Sequence, residues 1–449
     1  MFEHLHYAAA AIAALVICIP ALIAVVRARR AQRRRPTRKL AKLTTEEITE
    51  TKDTKVKPVD PRNLAKSIPR DPQASIDPRS ATKEESKGRD HAMLTPINSH
   101  HDKILQYSIG TFHSVDIHFG TDRSFDRHSR IPEFTSVRSH ELTLGKAEIT
   151  IPIERHRVGR IEKPWSLSIV GLTIFRENLD PKIHFTVQST KILNQEDFLA
   201  SIRTASYLST HRRGEALVFI HGFNTDFQSA LFRAAQLAYD TNFDGVSLIY
   251  SWPSGSQLRD YIYDLNSIES ATTHLRRFLA LVLSVDAIQK VHVVAHSMGS
   301  KALSLAISGA PRSLRRKFSE LVLASPDIDQ DVFQTKTDAI RKAARGRTLY
   351  VSHSDKALSA SSLLAGGVPR VGKGKASGVP IIAKGFDTID TSAVGLDFFS
   401  ANHSGYVESP LVLNDIGALL RTGTRPPHLR SPVLRQMTTR QGTYWAFPK

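Results

Sequence analysis

A serine, an aspartate and a histidine stand in the order that nucleophilic acyl transfer needs, two of them just after an apolar run of strand length. The run VHVVA (291–295) leads straight into His296-Ser297-Met298-Gly299 and a helical stretch, so the motif reads A-H-S-M-G. This is a G-x-S-x-G turn with Ala295 in the first glycine position. The chemistry needs a sharp strand-to-helix turn that lifts a serine hydroxyl above a sheet, with small residues on either side to avoid a clash, and alanine still satisfies that need. The plain rival is a serine that merely caps a helix. Five such residues are a loose motif; their strand–turn–helix setting makes them specific.

Acyl transfer also needs donors for the oxyanion, supplied by backbone N–H groups after an earlier strand and after the nucleophile. The run ALVFI (216–220) is followed at once by His221-Gly222-Phe223-Asn224. Gly222 allows a close backbone approach, and the expected donors are the amides of Phe223 and Met298. An H-G pair after a strand is also compatible with a simple tight turn.

Acid and base should follow the nucleophile in the chain. Asp355 lies in SHSDKAL, directly after the strand-like TLYVS (348–352), and is the expected acid. Asp327, Asp329 and Asp331 in SPDIDQD follow the preceding strand, and Asp327 is the alternative. His403, in the polar loop FFSANHSGY, is the expected base: one ring nitrogen takes the serine proton while the other donates to the carboxylate. His428 in RPPHLR is a second choice. His353 reads as structural, and His221, His292 and His296 show no metal-ligand spacing. Trp252 in YSWPSGS either walls a substrate pocket or plugs a turn already fixed by Pro253 and Gly255. Tyr261, Tyr263 and Asp264 receive no role. No metal or organic cofactor is required.

The elements that must position these residues alternate. Strand-like runs at 216–220, 246–250, 291–295, 321–324 and 348–352 are apolar throughout, and helical patterns separate them at 228–239, 262–282, 301–308 and 332–344, with a last helix at 409–421. Strands apolar on both faces that alternate with helices imply a mostly parallel sheet covered on both sides, an α/β body. Ahead of it, β-like runs at 115–119, 147–153 and 182–187 form a β-rich extension (104–195) of the folded domain (104–449), and a helix around 196–207 follows.

The N-terminal portion reads differently. Residues 7–26, YAAAAIAALVICIPALIAVV, are twenty without a charge, long enough to span a bilayer core of roughly 30 Å. They are expected to form a retained transmembrane helix, since no base precedes them and the apolar run exceeds a signal-peptide core. The cluster RARRAQRRRPTRK follows, and by the positive-inside rule places the rest of the chain on the cytoplasmic side of the inner membrane in a single-pass topology. Residues 1–43 thus form the anchor with its basic flank, and 44–103, charged and proline-punctuated with eleven bases and eleven acids through residue 104, a disordered linker.

Apolar residues are 41% and charged residues 23% of 449, which excludes a wholly disordered or collagen-like chain. Cys18 is the sole cysteine, which excludes an internal disulfide framework and thiolate metal clusters. The net charge of +18 suggests a binder of anions, but nine of the bases lie within the first 43 residues. No aromatics are interleaved for stacking, so no nucleic-acid partner is expected.

The run LVFIHGFN, IYSWPS, YIYDLNSIESA, VHVVAHSMGS, LVLASPDID, TLYVSHSDKAL and NHSGY, with VDIHFGTDR upstream and GTYW downstream, resembles the bacterial α/β-hydrolase-fold proteins of uncharacterised substrate in the esterase/lipase superfamily. The resemblance covers about residues 105–449, or roughly three quarters of the chain, and excludes the apolar segment. It implies an α/β-hydrolase fold with a nucleophile at Ser297, an acid at Asp355 and a base at His403. The expectation is a membrane-anchored serine hydrolase that cleaves carboxylic esters, small or lipid-like, or thioesters, through an acyl-enzyme. Its partners would be the ester and the bilayer. The rivals are a non-catalytic membrane-tethered scaffold on the same frame and a basic protein that binds anionic surfaces.

Overall fold

The continuous apolar runs place alternate side chains on opposite faces of the strands, so the sheet they form must be buried twice. The computed structural model describes residues 107–109, 111–126, 132–164, 166–169, 172–255, 260–311, 317–374, 378–394 and 409–448. The apolar segment 7–26, its basic flank, the linker 44–103 and His403 lie outside the described residues. Among the described residues no helix is long and apolar enough to cross a membrane.

The strands are β1 (Tyr107–Ile109), β2 (Phe112–Phe125), β3 (Phe134–Pro152), the hairpin β4 (Ser166–Ile169) and β5 (Leu172–Arg176), β6 (Thr186–Leu193), β7 (Glu215–Ile220), β8 (Val246–Ser251), β9 (Lys290–His296), β10 (Phe318–Ala324), β11 (Gly346–Val351), β12 (Asp387–Asp390), β13 (Arg435–Thr439) and β14 (Gly442–Ala446). The helices are α1 (Gln195–Leu208), α2 (Phe227–Asp240), α3 (Tyr261–Ser284), α4 (Met298–Ser308), α5 (Gln330–Ala343), α6 (Lys356–Leu364) and α7 (Pro410–Thr422).

Twelve strands make one sheet in the order β13-β14-β12-β11-β10-β9-β7-β8-β2-β3-β6, with β1 beside β2. The eight consecutive strands from β14 to β2 run parallel, while β3 and β13 are antiparallel to their neighbours. The strands of the 104–195 extension therefore continue the central sheet.

Ala216, Val218 and Ile220 face α1, α3, α4 and α5, whereas Leu217 and Phe219 face α2 and α7. The KIHFTV run (182–187) departs from its expected strand. The Asp180 side chain accepts from the Lys182 N–H and its carbonyl from the N–H groups of Ile183 and His184, so a local turn takes the first residues and β6 begins only at Thr186.

The chain runs from β7 to its neighbour β8, then crosses back through α3 to place β9 on the other side of β7. Strand order reverses there, and a parallel sheet opens its crevice at such a switch point, outside the carboxyl ends of the strands. The loops leaving β7 and β9 meet at that opening. One begins with His221 and the other with Ser297.

Candidate active site

Ser297 joins β9 to α4 with φ +49° and ψ −122°, a conformation that L residues rarely adopt. It occupies the N-cap position yet makes no side-chain capping hydrogen bond, so the ordinary capping role does not explain it. The strain costs on the order of 1–3 kcal/mol. Burial of Met298 and Ile220, both fully enclosed beside the turn, offsets a cost of that size, since one such side chain contributes roughly 1.5–3 kcal/mol. The Ser297 N–H donates to the Ala324 carbonyl at 3.0 Å, which pins the turn to the end of β10.

Two glycines let the loops close on one another. A Cβ on Gly299 would come within 2.5 Å of the His221 carbonyl and 2.6 Å of the Ile220 carbonyl. A Cβ on Gly222 would meet His296 Nδ1 at 2.6 Å and Ser297 Cβ at 2.9 Å. The loop after β7 thus lies directly against the serine. Ala295, where the wider motif has glycine, is fully buried and in register with Ile220 and Leu323.

The expected oxyanion donors are backbone groups, so their placement depends on how the loop is held. Met298 is the first residue of α4, where an N–H has no carbonyl one turn earlier and the helix dipole favours negative charge. Phe223 is held through its ring, which packs edge-on against Tyr261 at 5.6 Å. The next residue, Asn224, takes the left-handed conformation (φ +56°), and its N–H donates to Asp264 Oδ2 at 3.5 Å.

Beneath the loop, His221 is fully buried and stacked on Trp252, ring centroids 5.0 Å apart. Its Nδ1 donates to the Gly222 carbonyl at 2.8 Å, so Nε2 accepts, with Ser251 Oγ at 3.2 Å and Arg123 Nη2 at 3.4 Å as its neighbours. Burial first, then the Arg123 charge, push its pKa down to about 3. It is a neutral strut. Trp252, with no exposed surface, donates its indole N–H to the His221 carbonyl at 2.8 Å, the contacts of a plug under the turn.

Two residues that the sequence reading left without a role hold this region together. Arg123, at the end of β2 and 1% exposed, donates to the carbonyls of Thr225 (2.7 Å), Thr135 (3.2 Å) and Ser254 (3.3 Å) and to Ser251 Oγ (3.0 Å). Asp264, fully buried at the start of α3, accepts from Ser254 Oγ at 2.5 Å and the Gly255 N–H at 2.7 Å. Neither stands out in the sequence, since Arg123 lies in the polar stretch GTDRSFDR and Asp264 close to Asn266 and Ser267; it is their burial that makes partners necessary.

On the other side of Ser297, successive strand ends are stitched together, with the Ser325 N–H on the Tyr350 carbonyl and the Thr391 N–H on the Val351 carbonyl, both 2.9 Å. Asp355 follows β11 and N-caps α6, accepting from the Leu358 N–H at 2.9 Å, and is half-buried. Asp327 follows β10, is 5% exposed, and accepts from Ser361 (2.6 Å) and Tyr261 (3.1 Å) beside Arg370 Nε at 3.3 Å. Burial raises its pKa despite these partners. His428 stacks on Trp445 and accepts its indole N–H at 3.0 Å, and His353 is exposed. His296 is buried, and burial followed by the Arg233 and His221 neighbours holds its pKa well below the ordinary imidazole value.

The fold and its switch-point site define a class, and the family model agrees with it. The chain belongs to the family described as alpha/beta hydrolase of unknown function (DUF900), whose model matches residues 198–422. A search of curated proteins finds no match. Among solved structures the chain is similar to Est1E from Butyrivibrio proteoclasticus, at 14% identity over 39% of this chain and 77% of that one, with a TM-score of 0.25. A likeness that slight carries nothing about substrate.

Proposed function

We propose that the protein is a serine hydrolase that cleaves a carboxylic ester, or a thioester, through an acyl-enzyme. The observation that carries this reading is the uncapped, strained Ser297 with the glycine loop of β7 packed against its Cβ. In the proposed reaction Ser297 Oγ attacks the ester carbonyl while His403 takes its proton, and the Phe223 and Met298 amides hold the oxyanion. The tetrahedral species collapses, His403 protonates the departing alcohol, and water then releases the acid by the same steps in reverse order.

Asp355 is proposed to orient His403. Its place after β11, one strand before β12, fits the chain order of such sites, whereas Asp327 already serves Ser361, Tyr261 and Arg370. The segment 7–26 is proposed as a single-pass anchor with the hydrolase on the cytoplasmic side, which suits a lipid-like ester.

Labelling of the full-length chain with a fluorophosphonate probe tests the nucleophile. Wild type is expected to be modified and Ser297→Ala to remain unlabelled. Equal labelling of the two removes Ser297 from the reaction.

A further inference from the structure

The amino ends of the central strands, opposite Ser297, carry a cavity of about 350 Å3. Lys290 and His292 at the start of β9, Glu320 at the start of β10, Arg345 just before β11, and Arg421 and Arg425 around the end of α7 face it. Two of the cations are neutralised locally. Arg425 pairs with Glu320 at 2.5 Å and Asp387 at 2.9 Å, and Lys290 with Glu215 at 2.8 Å. The guanidinium groups of Arg345 and Arg421 have no carboxylate or hydrogen-bond partner among the described residues.

A last-turn arginine complements a helix dipole, so Arg421 alone would need no ligand. Arg345 is on no helix, and the third group is harder to explain without one. His292 is 3% exposed, its Nδ1 has no hydrogen-bond partner among the described residues, and its Nε2 stands 3.4 Å from Glu215. Arg345 and Arg421 are themselves exposed to solvent, so the buried, unpartnered His292 nitrogen is the group that wants a partner, and the cavity it lines together with two unneutralised guanidinium groups is suited to an anion.

We propose that this cavity binds a phosphate-type anion, held by charge-assisted hydrogen bonds from Arg345 and Arg421 and by an N–H of His292. The chemistry fits free phosphate and the phosphomonoester head of a lipid alike. The site is separate from the hydrolytic one, at the amino rather than the carboxyl ends of the parallel strands, and does not depend on that activity.

Isothermal titration of the purified full-length chain at neutral pH, with inorganic phosphate in one arm and soluble dihexanoyl phosphatidic acid in the other, tests it. Saturable binding of at least one probe is expected, weakened about tenfold or more in Arg345→Ala/Arg421→Ala and unchanged in Lys182→Ala, an exposed cation elsewhere on the surface. Binding of phosphate identifies a free anion, and binding of phosphatidic acid alone identifies a lipid head. Should the double variant lose its circular dichroism signal, Arg421→Gln replaces it with the same expectation of weaker binding. Failure of both probes to saturate, or equal affinity in wild type and variant, overturns the proposal.

Discussion

On one side of Ser297 the loops after β7 and β8 are cross-linked by buried polar side chains, whereas on the other the loops after β10 and β11 present one fully engaged carboxylate and one at a helix terminus. The difference follows what each side is asked to do. Backbone amides cannot be aimed by rotating a side chain, so the proposed oxyanion donors are placed only by fixing the loop itself, through Arg123, Asp264, His221 and Trp252. A carboxylate that orients an imidazole works through its own side-chain oxygens and tolerates partial exposure. Asp355 meets that description; Asp327, walled in by Arg370, Tyr261 and Ser361, does not.

The sharpest break in the comparison comes from exchanging each aspartate for asparagine. Asp355→Asn is expected to lower kcat by roughly 10^4, the scale of losing the imidazole's correct tautomer, with little change in unfolding midpoint. Asp327→Asn should leave kcat within about tenfold but cost roughly 3 kcal/mol in urea unfolding, because Arg370 would stay buried without its counter-charge. The reverse pattern moves the acid to the loop after β10.

Next in size is Gly222→Ala, directed at the other side. The added methyl would stand 2.9 Å from Ser297 Cβ, so either the loop or the serine must shift. A kcat loss of about 10^2–10^3 is expected, the effect of a displaced oxyanion donor, with KM nearly unchanged in steady-state assays. Unaltered kcat would mean that the Phe223 amide takes no part in the reaction.

Much of the site-bearing frame was legible in the sequence because its signals are local. Apolar runs at 216–220, 291–295 and 321–324 read as strands because they are short and alternate with longer helical patterns, and the A-H-S-M-G turn follows from its neighbours. The supports of the oxyanion side were not legible. Arg123 and Thr225 are 102 residues apart, and Asp264 and Asn224 forty, so nothing local signals that a charge from β2 and another from α3 will meet under one loop. Trp252 shows the same limit: an aromatic beside Pro253 reads equally as pocket wall or plug until its indole N–H is seen on the His221 carbonyl. The 182–187 run failed for the opposite reason, since apolar alternation outweighed a turn that Asp180 makes with its own following amides.

The smallest expected effect tests whether the loop-holding carboxylate is a structural group with its own proton linkage. Burial raises the Asp264 pKa from 3.8 to about 6, against hydrogen bonds from Ser254, Gly255 and Asn224 and the Arg123 charge, which lower it. The folded protein therefore keeps this proton to higher pH than the unfolded chain. Its contribution to stability is fully present below about pH 3.8 and is lost as pH rises through about 6, a change of roughly 3 kcal/mol for a shift of this size. Urea unfolding between pH 4 and pH 7 should show that slope in wild type and a flatter profile in Asp264→Asn, where no proton is exchanged. Asp122, whose pKa burial also raises to about 6 beside Tyr250, is present in both proteins, so the difference between the two curves belongs to Asp264. Identical slopes would assign the linkage to Asp122 and separate the Asp264 carboxylate from the stability of the loop it holds.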